Sequence, residues 1–543
     1  ECTDGGQFID MTVWTIKDVL SILLQDKTTK NNIIWATDTY RNKRSNCSEK
    51  DPITVDSLTK SHPIRLYPRI LKNSVDRQNR TRNKGEVFTP LRICNYMNNQ
   101  LDAEWFEREA VFNCVCSDDT VMPTEGNIVF PEGKSWIDYV DLRCLEITCG
   151  EAPFLASRYD VATGEEIAKL SRRIGILDRK LRIVNENTIS KDEWDKWVLR
   201  AFQSCYGYEW QGDNLLIARI NLLQSYCDYY VNRWDEKPSD EQLKQIANTI
   251  AWNLWQMDGL NDAVPLGKPY QESIQTTLFD SFETKREINS QNIAYPCKIF
   301  DWRCNNSTKF NLCKKRGKLS KKMFDFVIGN PPYQETQDLT SDTPVYNIFM
   351  DSAYQVGDCV ELITPGRFLF DAGKTPKAWN QKMLDDPHLS VIEYVQDSSL
   401  IFSGVDIKGG VAITYRDSKK NIGPIGLFSP FTELNTLLRK VKPFLGDTSL
   451  DDMIYSQNKW NLDELYLDYP HYKAVIGSGG RERRLTTSIF SLDVFHCVKQ
   501  DGDIEILGLI NNKRVKRYVC SKYIDYEGSN LEKIKVILPK SNG

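Results

Sequence analysis

The sequence has only four histidines among 543 residues, and its formal net charge of −4 excludes a generally cationic surface. A chain of this balance that binds nucleic acid must do so through local basic patches. Its fifteen cysteines are odd in number and scattered. Cys114 and Cys116 lie one residue apart, while Cys297, Cys304 and Cys313 are spaced too widely for a zinc knuckle. With so little histidine, no metal site is expected, and the thiols read as reduced and mostly buried in a cytoplasmic protein. There is no run of eighteen apolar residues and no charged-then-apolar leader, so no membrane partner is expected. Internal repeats and low-complexity tracts are also lacking.

What is present is core-forming material. Apolar residues make up 41% and aromatics 11%, enough to bury large cores, and the length predicts two or three domains. The chain does not begin with Met and stops abruptly after Pro539-Lys-Ser-Asn-Gly543, so further sequence is expected beyond it.

An amphipathic stretch, Trp14 to Leu24, reads as a helix. The cluster Arg77-Gln-Asn-Arg80-Thr-Arg82-Asn-Lys84 reads equally as a phosphate-binding arm or a solvated loop. From Gly85 onward short apolar strands alternate with helical periods, the pattern of a parallel α/β sheet. Expected strands are Tyr139–Ile147, Ser204–Tyr208, Lys298–Phe300, Phe324–Ile328 and Asp358–Ile363. Expected helices include Leu91–Leu101, Trp194–Phe202, Asn214–Asp228 and Asp240–Gln256. The interval from Tyr229 to Tyr295 is long for a crossover and predicts a helical insertion. Near Asp417 the alternation weakens into short β-like runs. The expected division is residues 1–84 as a helical extension, 85–416 as the catalytic domain and 417–543 as a recognition domain.

The strongest chemical signal is Asn330-Pro331-Pro332-Tyr333, directly after the strand-like Phe324–Gly329. The lone pair of an adenine amine is delocalised into the ring, so the amine is a poor nucleophile. Two hydrogen-bond acceptors aimed at its protons hold the nitrogen toward a tetrahedral form and steady the developing charge. The Asn330 side-chain oxygen and the Pro331 carbonyl can serve, because two prolines fix the turn. Tyr333 offers a ring face for an extruded base. The carboxyl end of a strand is where open α/β sheets bind ligands.

Other segments follow in order. Gly85-Glu-Val-Phe88-Thr89-Pro90 precedes a helix. Glu146-Ile-Thr-Cys149-Gly150-Glu-Ala152-Pro-Phe154 follows a strand. Glu209 ends another, where an acid can accept both hydrogen bonds of a ribose diol. Asp301 follows Lys298–Phe300. With these motifs the sequence resembles the gamma class of adenine-N6 DNA methyltransferases of restriction–modification systems, over residues 85 to about 416.

The resemblance implies an α/β fold, with a Rossmann-like methyltransferase domain dependent on S-adenosyl-L-methionine. It implies cofactor contacts from Phe88, Thr89, Pro90, Glu146, Cys149, Gly150, Phe154, Glu209 and Asp301, with Asp301 taking the cofactor's adenine amine. Ala152 departs from the family's second glycine. Phe402, in a segment resembling the region near the target base, reads as a buried hydrophobe. The lysine-rich run Lys314–Lys322 reads as a solvated loop.

From His471 to Gly543 there are thirteen Lys and Arg against eight Asp and Glu. Arg481, Arg483 and Arg484 form one cluster, and Lys513, Arg514, Lys516 and Arg517 another. Both suit DNA contact, in the region where the family keeps its target-recognition domain. The expected partners are double-stranded DNA and a separate restriction endonuclease chain. Three other readings stand beside this one. The first is an RNA or protein amine methyltransferase using the same motif. The second is a bifunctional enzyme whose nuclease lies elsewhere, since no acid–x–Glu–x–Lys pattern occurs in the first 80 residues. The third is a DNA-binding module with a dead catalytic site.

Overall fold

The computed structural model describes residues 13–41, 47–60, 62–116, 120–267, 294–317, 321–335, 343–402, 406–445, 459–476, 485, 489–490, 492–511 and 513–524. The chain divides into two units, Glu1–Thr432 and Glu433–Gly543. The N-terminal segment therefore belongs to the first unit, and the division falls about sixteen residues beyond the expected 416.

The first unit is built on seven strands: β1 (Cys144–Ile147), β2 (Cys205–Glu209), β3 (Leu254–Gln256), β4 (Phe324–Gly329), β5 (Gly357–Pro365), β6 (Leu389–Val395) and β7 (Val411–Asp417). Their order across the sheet is β6-β7-β5-β4-β1-β2-β3. β1 to β5 run parallel, and β7 enters antiparallel between β5 and β6. The run 3-2-1-4-5 is the Rossmann order, which reverses direction between β1 and β4. This is an α/β Rossmann-like methyltransferase fold.

Parallel strands covered on both faces need apolar side chains on both, and these strands supply them. Ile328, Ile363 and Ile413 enter one core cluster, while Val327, Leu362 and Ala412 enter the other. Helices Leu91–Phe106, Ile176–Asn187 and Gly212–Trp234 contribute to the first cluster, and Tyr346–Val356 and Lys377–Leu384 to the second.

Two expectations fail at the third strand. Lys298–Asp301 is not in the sheet; it pairs only with Asn306–Lys309, in an antiparallel hairpin. The sheet's third strand is Leu254–Gln256, at the end of what reads as one helix through Gln256. The helix stops at Asn253, whose amide donates to the Phe202 and Cys205 carbonyls at 2.9 and 3.0 Å. Those bonds pin the break where the sequence has neither Gly nor Pro to mark it. The first strand is also shorter than expected, because Trp136–Asp141 is a helix with a Ser135 capping box.

The basic cluster at 77–84 is not a loop. It lies on the helix Ser74–Lys84, and Arg80 is buried. The Arg80 guanidinium pairs with Glu86 and with Asp213, at 2.9 Å for the latter, and Lys72 reaches Asp213 at 3.0 Å. Burial alone would raise the Asp213 carboxyl, but Arg80 and Lys72 hold it well below the usual carboxylate range. In the lysine run, Lys314 lies on the helix Phe310–Gly317 and pairs with Asp262, while Lys322 donates to the Gly357 carbonyl at 2.8 Å. Residues 318–320 lie outside the described residues.

In the second unit, Asp503–Ile510 and Lys513–Cys520 form an antiparallel hairpin over a small core containing Trp460, Phe490 and Phe495. Among the described residues, no helix is long and apolar enough to cross a membrane.

Candidate active site

The parallel register sets Ile147 beside Gly329 and Glu209 beside Gln256. The loops that follow β1, β2, β3 and β4 therefore emerge side by side at the carboxyl edge, where the strand order reverses. There they line one cavity of about 210 Å³. Of the residues expected to hold a cofactor, Phe88, Thr89, Glu146, Cys149, Gly150, Phe154 and Glu209 line it, together with Asn330 and Pro332 of the catalytic motif. Pro90 is not among the lining residues; it precedes the helix Leu91–Phe106 as its N-terminal cap residue.

The loop after β1 is shaped by positive φ. Gly150 sits at φ +55°, and a Cβ there would come within 2.9 Å of the Phe88 ring. The glycine thus lets the Phe88 segment close against the loop. Ala152, in place of the family's glycine, also adopts a left-handed φ of 61°, which costs an alanine roughly 1 kcal/mol. Its methyl is fully buried in the core and is absent from the cavity wall. The substitution therefore strains the loop without narrowing the site.

The acids differ in circumstance. Glu146 is buried, and its Oε2 accepts from the Leu155 amide at 3.1 Å. Burial pushes its carboxyl well up, against the pull of the backbone amides of Phe154 and Leu155. Glu209 accepts from the backbone amides of Gly150 (2.9 Å) and Gln211 (3.1 Å). Burial raises it to about 7, those two amides offsetting part of the rise.

Asp301 lies at the other edge of the sheet. Its carboxylate is 3.7 Å from the guanidinium of Arg143, the residue before β1, and Arg143 in turn faces Asp325 at the start of β4. Asp301 is thus corrected from cavity residue to part of an ion cluster at the amino ends of the strands. The acid that follows the true third strand is Asp258, which lines the cavity. Its Oδ1 accepts from the Leu260 amide at 2.9 Å and its Oδ2 from Asn261 at 2.6 Å. The readable signal was an acid and a glycine, Asp258-Gly259, closing the run Leu254-Trp-Gln-Met257, apolar but for Gln256. The helical period before it concealed that run.

At the end of β4 the Asn330 amide nitrogen donates to the Val87 carbonyl at 3.1 Å and to Thr89 Oγ1 at 3.3 Å. The Thr148 hydroxyl donates to the Asn330 carbonyl at 3.1 Å. Two other chain segments therefore fix this one residue, yet its Oδ1 has no hydrogen-bond partner among the described residues. Pro331 and Tyr333 are not among the lining residues. Tyr333 packs against the core cluster that holds Ile401 and Phe402, and burial pushes its phenol far up, the Asn330 side chain opposing. Phe402 is buried, as expected.

Of the basic residues assigned to DNA contact, Arg481, Arg483 and Arg484 lie outside the described residues. In the hairpin, Arg514 stands opposite Leu509 and Lys516 opposite Leu507, and all four are exposed. Arg517 stands opposite Ile506 on the face turned to the small core, and Lys513 sits exposed beside the turn. Lys516 also pairs with Glu505 at 2.9 Å.

Residues 203–402 match the family model described as Eco57I restriction-modification methylase. The matched segment holds β2 to β6 and the Asn330 loop. With the fold, this similarity supports a methyltransferase of restriction–modification type. No curated protein sequence matches.

Three solved structures are similar at low identity. The DrdV–DNA complex is 11% identical over 62% of this chain and 27% of its own, with a TM-score of 0.30. A nuclease-deletion mutant of the type ISP restriction-modification enzyme LlaGI, in complex with a DNA substrate mimic, is 12% identical over 65% and 25%, at 0.31. The M protein of the type I restriction enzyme EcoKI is 12% identical over 69% and 74%, at 0.26. TM-scores this low carry no functional argument, and the chain spans about a quarter of the length of the first two.

Proposed function

We propose that this chain methylates the N6 amine of an adenine extruded from duplex DNA, using S-adenosyl-L-methionine. The observation that carries this reading is the Asn330 side chain. Its nitrogen is committed to Val87 and Thr89, so its free oxygen is an acceptor held in place before a substrate arrives. An acceptor whose position is already paid for is what a weakly nucleophilic amine requires.

The cavity residues suit the cofactor. Glu209 accepts one backbone amide on each oxygen and keeps lone pairs for a ribose hydroxyl. The Gly150 turn and Phe154 would hold the methionine end, and Asp258 stands where the adenine amine would be read. S-adenosyl-L-methionine supplies an electrophilic methyl group when bound. The chain's own part is to fix that group, exclude water and hold the amine at Asn330 Oδ1 and the Pro331 carbonyl. Tyr333 is not among the residues that line the cavity, which fits a role toward the extruded base and not toward the cofactor.

The test is methyl transfer from labelled S-adenosyl-L-methionine to mixed-sequence duplex DNA, followed by nucleoside analysis. Labelled N6-methyladenine, reduced at least about a hundredfold in Asn330→Ala, supports the reading. Label that appears only in RNA or protein overturns it.

A further inference from the structure

Gln211 lies two residues beyond Glu209 and is the N-terminal cap residue of the helix Gly212–Trp234. A cap residue ordinarily spends its side chain on the first free amides of its helix, but Gln211 makes no such bond. Its Nε2 instead donates to Glu86 Oε2 at 3.3 Å. The Glu86 carboxylate is itself held by Arg80, and its Oε1 accepts from Asn214 Nδ2 at 3.3 Å. A carboxylate only accepts, so the Gln211 amide must present its NH₂ to Glu86 and turn its oxygen elsewhere.

That oxygen has no hydrogen-bond partner among the described residues, although Gln211 is only 3% exposed and lines the cavity. A buried acceptor left unpaired is costly, and a ligand donor would relieve it. The backbone amide of the same residue donates to Glu209 Oε1 at 3.1 Å, so the two acceptor groups are neighbours on one loop.

We propose that Gln211 is a ribose-recognition residue: its Oε1 accepts the hydrogen bond of one hydroxyl of the cofactor's 2′,3′-diol, and the Glu209 carboxylate takes the other. The inference rests on the proposed use of S-adenosyl-L-methionine in this cavity. Arg80 and Glu86 become positioning residues, because they hold the amide in the orientation that frees its oxygen. A buried acceptor built for a hydroxyl discriminates strongly against a ligand that lacks it.

Calorimetric binding of S-adenosyl-L-homocysteine and its 2′-deoxy and 3′-deoxy analogues, to wild type and to Gln211→Met, tests this. Methionine keeps the length of the side chain and removes the acceptor. Wild type is expected to lose about tenfold or more on each deoxy analogue. Gln211→Met is expected to bind the parent ligand about tenfold more weakly and to lose discrimination at one hydroxyl only. A variant that keeps full discrimination at both hydroxyls, or weakens all three ligands equally, overturns the proposal. Should Gln211→Met fail to fold, Gln211→Asn, with its oxygen drawn back, is read the same way. Wild type that binds no S-adenosyl-L-homocysteine overturns the functional reading itself, an outcome distinct from the others.

Discussion

The two edges of the central sheet carry acids of the same kind in opposite circumstances. At the amino edge, Asp301 and Asp325 face Arg143, and Arg303 also reaches Asp325 at 3.6 Å. Each charge there answers another. At the carboxyl edge, Glu209 is buried and Arg80 only partly offsets that burial, while among the described residues Asn330 and Gln211 each keep an unpartnered oxygen. A fold that spends polar groups on each other gains stability, whereas one that leaves them unspent in a cavity keeps them for a ligand.

The largest expected difference between the edges is in cofactor binding. Asp258→Ala should weaken S-adenosyl-L-homocysteine about tenfold or more, through loss of an acceptor and of the turn it ties. Asp301→Ala should leave that affinity within about twofold and lower the melting temperature slightly. Calorimetry on both variants decides between them, and equal losses would return the cofactor's adenine to the Lys298–Asp301 hairpin.

Next comes pH. Glu209, raised to about 7, must be ionised to accept from a diol, so cofactor affinity should rise as pH passes upward through 7. One unit below, about a tenth of the protein carries the charge, and affinity should fall about tenfold. Stability should move the other way. A carboxyl whose folded pKa is raised favours the protonated fold, so its stabilising effect is complete at acid pH and is lost as pH rises through 7. Binding and melting profiles of opposite slope, both flattened in Glu209→Gln, would bear out this pairing. Parallel slopes would sink it.

In the second unit the hairpin's two faces should differ as well. Arg514→Ala, on the exposed face, should weaken DNA binding several-fold and reduce the salt slope by about one. Arg517→Ala, on the face turned to the small core, should change stability more than salt slope. Fluorescence anisotropy across a salt series separates the two, and identical slopes would remove the hairpin from the DNA interface.

The smallest effect is expected at Ala152. Ala152→Gly relieves a left-handed alanine but adds freedom to the unfolded chain, so stability should shift by about 1 kcal/mol or less. Cofactor affinity should not change, because the methyl points into the core. A clear gain in affinity would show that the loop's strain reaches the cavity.

Much of the site was legible because its motifs are local. Asn330 after Phe324–Gly329, Glu209 at the close of β2 and the turn at Gly150 each combine a strand with the residue that ends it. A short, largely apolar run closing on a special residue survives in one short stretch of text. Asp258 was hidden for a local reason too: a three-residue strand continuing a helix without punctuation carries too little pattern to separate from it. Asp301 was chosen because Lys298–Phe300 is a better-looking strand, and it is indeed extended, though paired only with its own hairpin.

By itself, then, the sequence determined the alternation of strands and helices, the order of the motifs and the chemistry they carry, since these depend on neighbours along the chain. Only the tertiary structure decided which strand lies third in the sheet and which way the Ala152 methyl points. It also decided that Arg80 is buried against Asp213 and Glu86, and that Gln211 is left with a free oxygen. Those outcomes depend on pairings between residues up to 133 positions apart, where partner and orientation are set by packing and charge satisfaction and leave no trace in local periodicity.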